Sequence, residues 1–308
     1  MTTITLQPVD LEGDRSRTRR ERLIRALFLG TAVASIIISV AIVLSLVGEA
    51  WNFARQVDPA SLFSAGWFPR RDLYDLITIV SATLLISAVA MVVAAPLGLG
   101  AGIYLAEYSG QSVRRTLKPI IEILAGIPSV VLGFWALTFI SPELVQRVFG
   151  GAGVFSMLAA GIAVGVLVTP LVATVSEDAM RAVPQSLRDA SYGLGADKSA
   201  TVRKVVLPAA VSGIVASLIL GVSRAFGETM IVFMAGGAVG GSLRTFDLLS
   251  PGQTMTAAIA SLAIGTDQVA GSGLAFQSLF FVGLALFGIT LGLNALSERF
   301  VRRVRERY

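Results

Sequence analysis

Six long apolar segments limit what this chain can fold into. Each offers about 20 mainly apolar residues, which is the length that an α-helix needs to cross a bilayer. Because the hydrocarbon core offers no water to backbone groups, each of these segments must be helical. The sequence therefore predicts an all-α, polytopic membrane protein with six transmembrane helices, at residues 23–47, 76–106, 120–140, 155–175, 209–236 and 274–296.

Basic residues indicate the orientation of these helices. Lys and Arg are concentrated before the first span, in the second and fourth loops and after the last span, so the positive-inside rule places both termini in the cytoplasm. The net charge of +5 therefore reports orientation and does not indicate binding to nucleic acid. A signal peptide would also place basic residues before an apolar run. This run is too long and lacks a clear cleavage site, which favours an uncleaved anchor in the plasma (inner) membrane.

The predicted topology divides the chain into four parts. Residues 1–22 are expected to form a polar cytoplasmic tail, and residues 23–74 the first transmembrane helix with its external loop. The membrane core is expected at 75–297, with a cytoplasmic loop at 176–208, and residues 298–308 form a basic cytoplasmic tail. After the fifth span, "TMTAAIASLAIG" is apolar but too short to cross. It predicts either a re-entrant or interfacial piece or a short helix on the surface.

Two absent residue types restrict the chemistry of the chain. Cys and His do not occur, which excludes disulfides, thiolate or imidazole metal sites, Ser-His-Asp triads and Cys nucleophiles. The sequence also lacks a GxxxxGK[ST] loop, so a separate ATPase would have to bind any ATP and Mg²⁺ that the work of the protein consumes. We expect no cofactor in this chain and no enzymatic role.

The fourth loop contains two amphipathic helical patterns. They cover residues 184–192 and 199–206 and are separated by "GLGADK", in which Gly193 and Gly195 allow a sharp turn. The loop is therefore predicted to be a helix, a glycine turn and a second, basic helix. That second helix is expected to stop at Pro208, where the fifth span begins.

This loop resembles the EAA motif of ABC importer permeases, E-A-A-x3-G-x9-I-x-L-P, with every spacing matched. Val205 takes the isoleucine place, and the other matching residues are Asp189, Ala190, Ser191, Gly195, Leu207 and Pro208. The resemblance implies a coupling helix in which these residues and Gly193 contact an ATPase subunit and carry its closure to the membrane helices. An ordinary solvated loop helix is the alternative interpretation.

A charged pair lies within the fifth predicted span. An isolated charge near the bilayer centre costs ~3 kcal/mol, so Arg224 and Glu228 must face protein, water or substrate. Four residues apart on a helix, they share a face and can form an ion pair. The pair either fixes helix packing or forms an anion site, in which the Arg224 fork binds an oxyanion and Glu228 accepts a hydrogen bond from a protonated phosphate oxygen. Ser223 and Thr229 flank the pair and complete the candidate site.

Three further stretches resemble the phosphate-specific (Pst) ABC importer permeases. They are "GIYLAEYS", "EILAGIPSVVLGFWAL" and "SRAFGETMIVFMAGG", and "GETM" is more similar to the C-type than to the A-type subunit. The resemblance implies a MetI-like core that pairs with a homologous A-type permease. Two ATPase subunits and an extracytoplasmic phosphate-binding protein would complete an importer that works by alternating access within membrane lipid.

Other functions remain open at this stage. A permease for phosphonate, molybdate or sulfate shares every feature except the "RAFGETM" run. An ion-coupled secondary carrier could use Glu228 as its proton carrier, but the spacing of the EAA motif argues against it. A membrane-embedded enzyme has little support without His, Cys or a second buried carboxylate beside Glu228.

Overall fold

A computed structural model describes residues 15–64, 66–237, 241–264 and 273–304 of the 308-residue chain. It separates into two compact units, Met1–Gly48 and Glu49–Tyr308. Helix α1 (Arg15–Gln56) begins well before the predicted start near residue 23. The expected polar tail is therefore helical from Arg15, because Arg and Glu are good helix formers and extend the apolar segment. Residues 1–14 lie outside the described part.

Within its described residues, the second unit is mostly helical and contains three short strands. Three π-helical turns, Tyr104–Tyr108, Ala136–Val145 and Val202–Val206, continue or join its helices. The strands are β1 (Gly66–Phe68), β2 (Leu73–Tyr74) and β3 (Ser242–Leu243), and the helices are α2 (Leu76–Ile103), α3 (Gln111–Ala125), α4 (Ser129–Trp135), α5 (Gln146–Val148), α6 (Met157–Arg181), α7 (Gln185–Gly193), α8 (Lys198–Thr201), α9 (Leu207–Phe226), α10 (Met230–Ala235), α11 (Met255–Ala263) and α12 (Leu274–Val304).

Six helices in the described ranges are long and apolar enough to cross a membrane, which confirms the predicted number. Their bounds are Arg19–Gln56, Leu76–Tyr108, Ser129–Val148, Met157–Arg181, Lys198–Phe226 and Leu274–Leu296. The last helix continues to Val304, so much of the expected basic tail is helical, and residues 305–308 are not described.

The predicted bounds of the third span are wrong. Residues 120–140 do not form one helix, because α3 ends at Ala125 and α4 begins only at Ser129. The intervening Pro128 disfavours a helical conformation at the residue before it. The apolar residues before this break belong to α3, an amphipathic helix that also carries Arg114 and Lys118, so the actual span is Ser129–Val148.

The predicted bounds of the fifth span are wrong at both ends. The helix does not stop at Pro208 but runs without interruption from Lys198 to Phe226. The Leu207 N–H donates to the carbonyl of Val202, five residues earlier, and this wider turn accommodates the proline ring. At the other end, α9 stops at Phe226 instead of continuing to residue 236, and α10 begins at Met230.

Small residues bring α2 and α6 close together along most of their length. A Cβ atom added to Gly165 would lie 2.7 Å from Val93 Cβ and 2.8 Å from the Ala90 carbonyl oxygen. Helix α9 packs against both α2 and α6, and the hydroxyls of Ser176 in α6 and Ser217 in α9 hydrogen bond at 2.7 Å. Close backbone approach of this kind is how helices associate where lipid removes the hydrophobic driving force.

The end of the bundle that carries β1, β2 and β3 is fixed by Asp75. Its carboxylate accepts from the Ile77 N–H at the start of α2 and from Arg244 Nη2 at 2.8 Å. The short apolar segment after the fifth span forms α11. Met255, Ala257 and Ala258 of this helix are buried, so the segment is a short helix that packs one face against the rest of the unit.

Candidate functional site

Arg224 and Glu228 lie at the break between α9 and α10. Arg224 Nη1 donates to Glu228 Oε2 at 2.7 Å, which confirms that the two side chains pair. The pair does not lie along a continuous helix, because α9 ends at Phe226 and Glu228 belongs to the connection to α10. The Glu228 side chain is only 3% exposed, whereas that of Arg224 is 44% exposed. The carboxylate is therefore fixed inside the protein, and the guanidinium reaches its surface.

Hydrogen bonds from two further helices hold Glu228. Its Oε1 accepts from the Ile231 N–H of α10 at 3.4 Å, and its main-chain oxygen accepts from Thr256 Oγ1 of α11 at 2.7 Å. These contacts explain why the helix breaks here. The carboxylate satisfies a free N–H of the first turn of α10, as a side-chain cap does.

Ser223 and Thr229 have other hydrogen-bond partners. Ser223 Oγ donates to Asn294 Oδ1 of α12 at 2.8 Å, and Thr229 Oγ1 donates to the Gly227 carbonyl at 3.3 Å. Both residues are half-buried beside the ion pair. Asn294 was not predicted as part of the site, although an amide in an otherwise apolar span was a usable signal.

The arrangement leaves most of the Arg224 guanidinium available. A guanidinium carries five N–H donors, and one nitrogen is engaged by Glu228. The remaining donors form a planar fork suited to an oxyanion, and the exposed side of the group is where such an anion can approach. In the described ranges, no group of three or more acidic side chains is arranged to hold a metal ion.

The loop between α6 and α9 has the predicted helix, glycine turn and second helix. Gly195 has a φ of +81°, a left-handed conformation that favours glycine. Leu194, at the tip of the turn, is 90% exposed. Asp197 then caps α8 by accepting from the Ala200 N–H at 2.6 Å. We call this segment, residues 185–201, the α7–α8 loop.

The predicted coupling residues are distributed over this loop and the start of α9. Asp189 and Ala190 are exposed, and Asp189 Oδ1 accepts from Gln185 Nε2 at 3.0 Å. Ser191 bonds to the hydroxyl of Thr201 at 2.8 Å and so joins α7 to α8. Gly193 ends α7, and Leu207 and Pro208 form the first turn of α9, where Leu207 packs against a buried apolar cluster.

Arg188 anchors the α7–α8 loop and was not singled out in the sequence. Its side chain is largely buried and donates to the carbonyls of Val183 and Met180, at 2.6 and 2.8 Å. It also pairs with Glu107 Oε1 at 2.8 Å, in the π-helical turn that ends α2. The loop is thus bonded to the ends of both α2 and α6.

A second buried acid holds α3 against α6. Glu177 is fully buried near the end of α6, and it pairs with Arg114 Nε at 2.5 Å and with Lys118 Nζ at 3.2 Å. Lys118 also pairs with Asp178 at 3.1 Å. Desolvation by burial lowers the pKa of Lys118. The hydrogen bonds from Lys118 to Asp178 and Glu177, together with the negative charges of these two residues, outweigh that effect, so the pKa of Lys118 is raised above the ordinary 10.5.

Comparison with known proteins identifies the family. The family model described as "Binding-protein-dependent transport system inner membrane component" matches residues 98–306. The phosphate transport system permease protein PstC of Pasteurella multocida is 31% identical over 296 residues, which cover 90% of each chain.

Two solved transporters share the fold. A chain of the inward-facing MetNI methionine ABC transporter has a TM-score of 0.57 at 24% identity and covers 75% of this chain and 96% of its own. A chain of the bacterial alginate ABC transporter, solved with an alginate-bound periplasmic protein, has a TM-score of 0.64 at 14% identity and covers 94% and 98%. These likenesses confirm the predicted MetI-like fold. The chain therefore belongs to the family of binding-protein-dependent transport system inner membrane components.

Proposed function

We propose that this chain is the transmembrane permease subunit of an ATP-driven importer that moves inorganic phosphate into the cytoplasm by alternating access. The assignment of phosphate as the substrate rests on the 31% identity, over 90% of both chains, to a protein named as a phosphate transport permease. Members of this family are components of transporters and not enzymes, and they work with an ATPase and a substrate-binding protein.

The Arg224–Glu228 pair is the proposed phosphate site. Without substrate, Glu228 orients the half-exposed guanidinium by the 2.7 Å hydrogen bond. When Arg224 donates to an arriving oxyanion instead of to Glu228, the buried carboxylate loses a hydrogen bond. The O–H of a protonated phosphate can donate a replacement hydrogen bond to Glu228. Sulfate at neutral pH has no such proton, so the carboxylate would repel it. The hydroxyls of Ser223 and Thr229 complete the proposed substrate contacts.

The α7–α8 loop is the proposed contact with the ATPase. Its exposed tip at Leu194 and Gly195 is shaped to enter a cleft, and Arg188 keeps α7 attached to the bundle. The helix Lys198–Phe226 begins in this loop and ends two residues after Arg224. Movement of the loop therefore has a continuous covalent path to the phosphate site.

We further propose that the end of the bundle with the α7–α8 loop faces the cytoplasm, together with both termini. The basic residues of the terminal segments support this orientation. The proposed complex contains a homologous A-type permease, two ATPase subunits and an extracytoplasmic phosphate-binding protein.

Transport by the reconstituted importer tests this proposal. We expect ATP-dependent accumulation of ³²P-phosphate in proteoliposomes, and only excess phosphate should compete, whereas sulfate, molybdate and phosphonate should not. Competition by one of these anions at equal concentration would assign a different substrate. Uptake that persists without ATP or without the ATPase subunit would contradict an ATP-driven importer.

A further inference from the structure

A basic cavity lies where α2, α3 and α6 meet at the end of the bundle that carries the α7–α8 loop. Its volume is about 600 Å³. Leu105 and Ser109 contribute to its lining from the end of α2. Its charged lining consists of four cations, Arg114, Arg115 and Lys118 from α3 and Arg181 from the end of α6, and one acid, Glu122 of α3, so cations outnumber acids four to one. This cavity differs from the Arg224 site, which lies at the opposite end of α9.

Only two of the four cations have acidic partners. Arg114 pairs with Glu177, and Lys118 pairs with both Glu177 and Asp178. Across the described part of the chain, the side chains of Arg115 and Arg181 form neither an ion pair nor a hydrogen bond. Both residues are exposed into the cavity that they share. Two unpaired guanidiniums in one cavity raise its positive potential and favour an anion between them.

We propose that this cavity binds a phosphoanion through the guanidiniums of Arg115 and Arg181. The planar donor fork of Arg matches two oxygens of a phosphate group, and the paired Arg114 and Lys118 add positive potential to the same wall. The anion is either the phosphodiester of an anionic lipid headgroup or inorganic phosphate, since both present the same oxygens to the two guanidiniums.

The surroundings of the cavity favour the lipid headgroup. The volume exceeds what a single phosphate group needs and suits a headgroup with its glycerol. Val113, Ile120 and Ile123 of α3 are exposed beside the basic residues of that helix, and they offer an apolar surface to acyl chains. Binding of a lipid headgroup in this cavity does not depend on the proposed function. Binding of inorganic phosphate rests on the proposed function and would place the cavity on the route by which transported phosphate leaves the protein.

Native mass spectrometry of the purified full-length chain tests the lipid source. We expect phosphatidylglycerol to bind at least about tenfold more weakly to the double variant Arg115→Gln/Arg181→Gln than to the wild-type chain, with phosphatidylcholine unchanged. The matched control is Arg70→Gln/Arg71→Gln, which removes two exposed arginines from the connection between β1 and β2 and should not alter binding. Among the described residues, neither test arginine has an ion-pair or hydrogen-bond partner for its side chain, so the double variant should fold normally.

Equilibrium dialysis with ³²P-phosphate tests the second source in detergent free of anionic lipid. The proposed Arg224 site should keep its phosphate in the same double variant. Loss of one of two binding sites, or a loss of at least about tenfold in the affinity of one of them, would therefore support the cavity with inorganic phosphate as its ligand. The proposal is overturned if neither phosphatidylglycerol nor phosphate binding differs between the test and control variants. Neither assay measures transport, so their failure is distinguishable from failure of phosphate uptake by the assembled importer.

Discussion

Arg188 Nη2 lies 2.8 Å from Oε1 of Glu107, and this ion pair joins α7 to the turn that ends α2 although the two residues are 81 positions apart. The Arg188 side chain is 11% exposed and that of Glu107 6%, so the pair is shielded from solvent. Helix α7 is therefore tied to the end of α2, and we expect movement of α7 to be transmitted to the membrane helices.

Replacing Arg188 with Met should destabilise the protein and weaken coupling. The substitution leaves the Glu107 carboxylate and two carbonyl oxygens without their donor, and breaking a buried pair in this way costs about 3–5 kcal/mol. We expect a lower thermal unfolding temperature and more ATP hydrolysed per phosphate transported. The double variant Glu107→Gln/Arg188→Met should recover part of the lost stability. Arg188→Met unfolding at the wild-type temperature would show that the pair is not an anchor.

Replacing Arg224 with Lys should lower phosphate uptake at least about tenfold while the importer still assembles. Lysine retains the charge that Glu228 requires but loses the planar fork that the proposed oxyanion contact uses. The measurement is initial uptake of ³²P-phosphate at subsaturating concentration. The same substitution at Arg147, which is 72% exposed and pairs with Glu143, is the control and should leave uptake unchanged. Equal uptake by the two variants would remove Arg224 from the substrate path.

Replacing Gly195 with Ala should weaken attachment of the ATPase subunit. A side chain at φ +81° is strained by about 1–2 kcal/mol, and relief of that strain changes the turn that presents Leu194. The amount of ATPase that co-purifies with the permease is the readout. Gly273→Ala is the control, since Gly273 has a φ of +92° with open space around it and lies far along the chain from the loop. Normal co-purification of Gly195→Ala would contradict the proposed docking role.

Replacing Gly165 with Ala should separate α2 from α6. The new methyl group would lie 2.7 Å from Val93 Cβ and 2.8 Å from a backbone oxygen, and backbone cannot move aside cheaply. Overpacking of this kind costs about 1–3 kcal/mol, so thermal unfolding should occur at a lower temperature. Gly100→Ala is the control, because a methyl group at Gly100 of α2 meets nothing within 4 Å. Equal unfolding temperatures for the two variants would show that the helix pair can adapt.

The number of spans and the Arg224–Glu228 pair were both predictable from the sequence. Each depends on local information, namely the length of an apolar run and a separation of four residues. The break at Gly227 was missed because the apolar residues continue past it, and the cause of the break includes a hydrogen bond from Thr256 of α11 to the Glu228 main-chain oxygen.

The ion pairs that hold the α7–α8 loop and α3 were also not predictable, because the two partners of each pair are distant in the sequence. Arg188 pairs with Glu107, and Arg114 pairs with Glu177, across separations of 81 and 63 residues. The sequence shows that each of these residues is charged. It does not show which distant helix supplies the partner. Only the packing of α2 against α6 brings these groups together.

The uninterrupted helix Lys198–Phe226 has a mechanical consequence. At about 1.5 Å per residue it is a lever roughly 40 Å long, so a tilt of about 5° at its loop end displaces the opposite tip by about 3–4 Å. That displacement is as large as the separation between hydrogen-bonded atoms. If an ATPase docks on the α7–α8 loop as proposed, a small rotation there would be amplified enough to change which oxygen Arg224 holds at the proposed phosphate site.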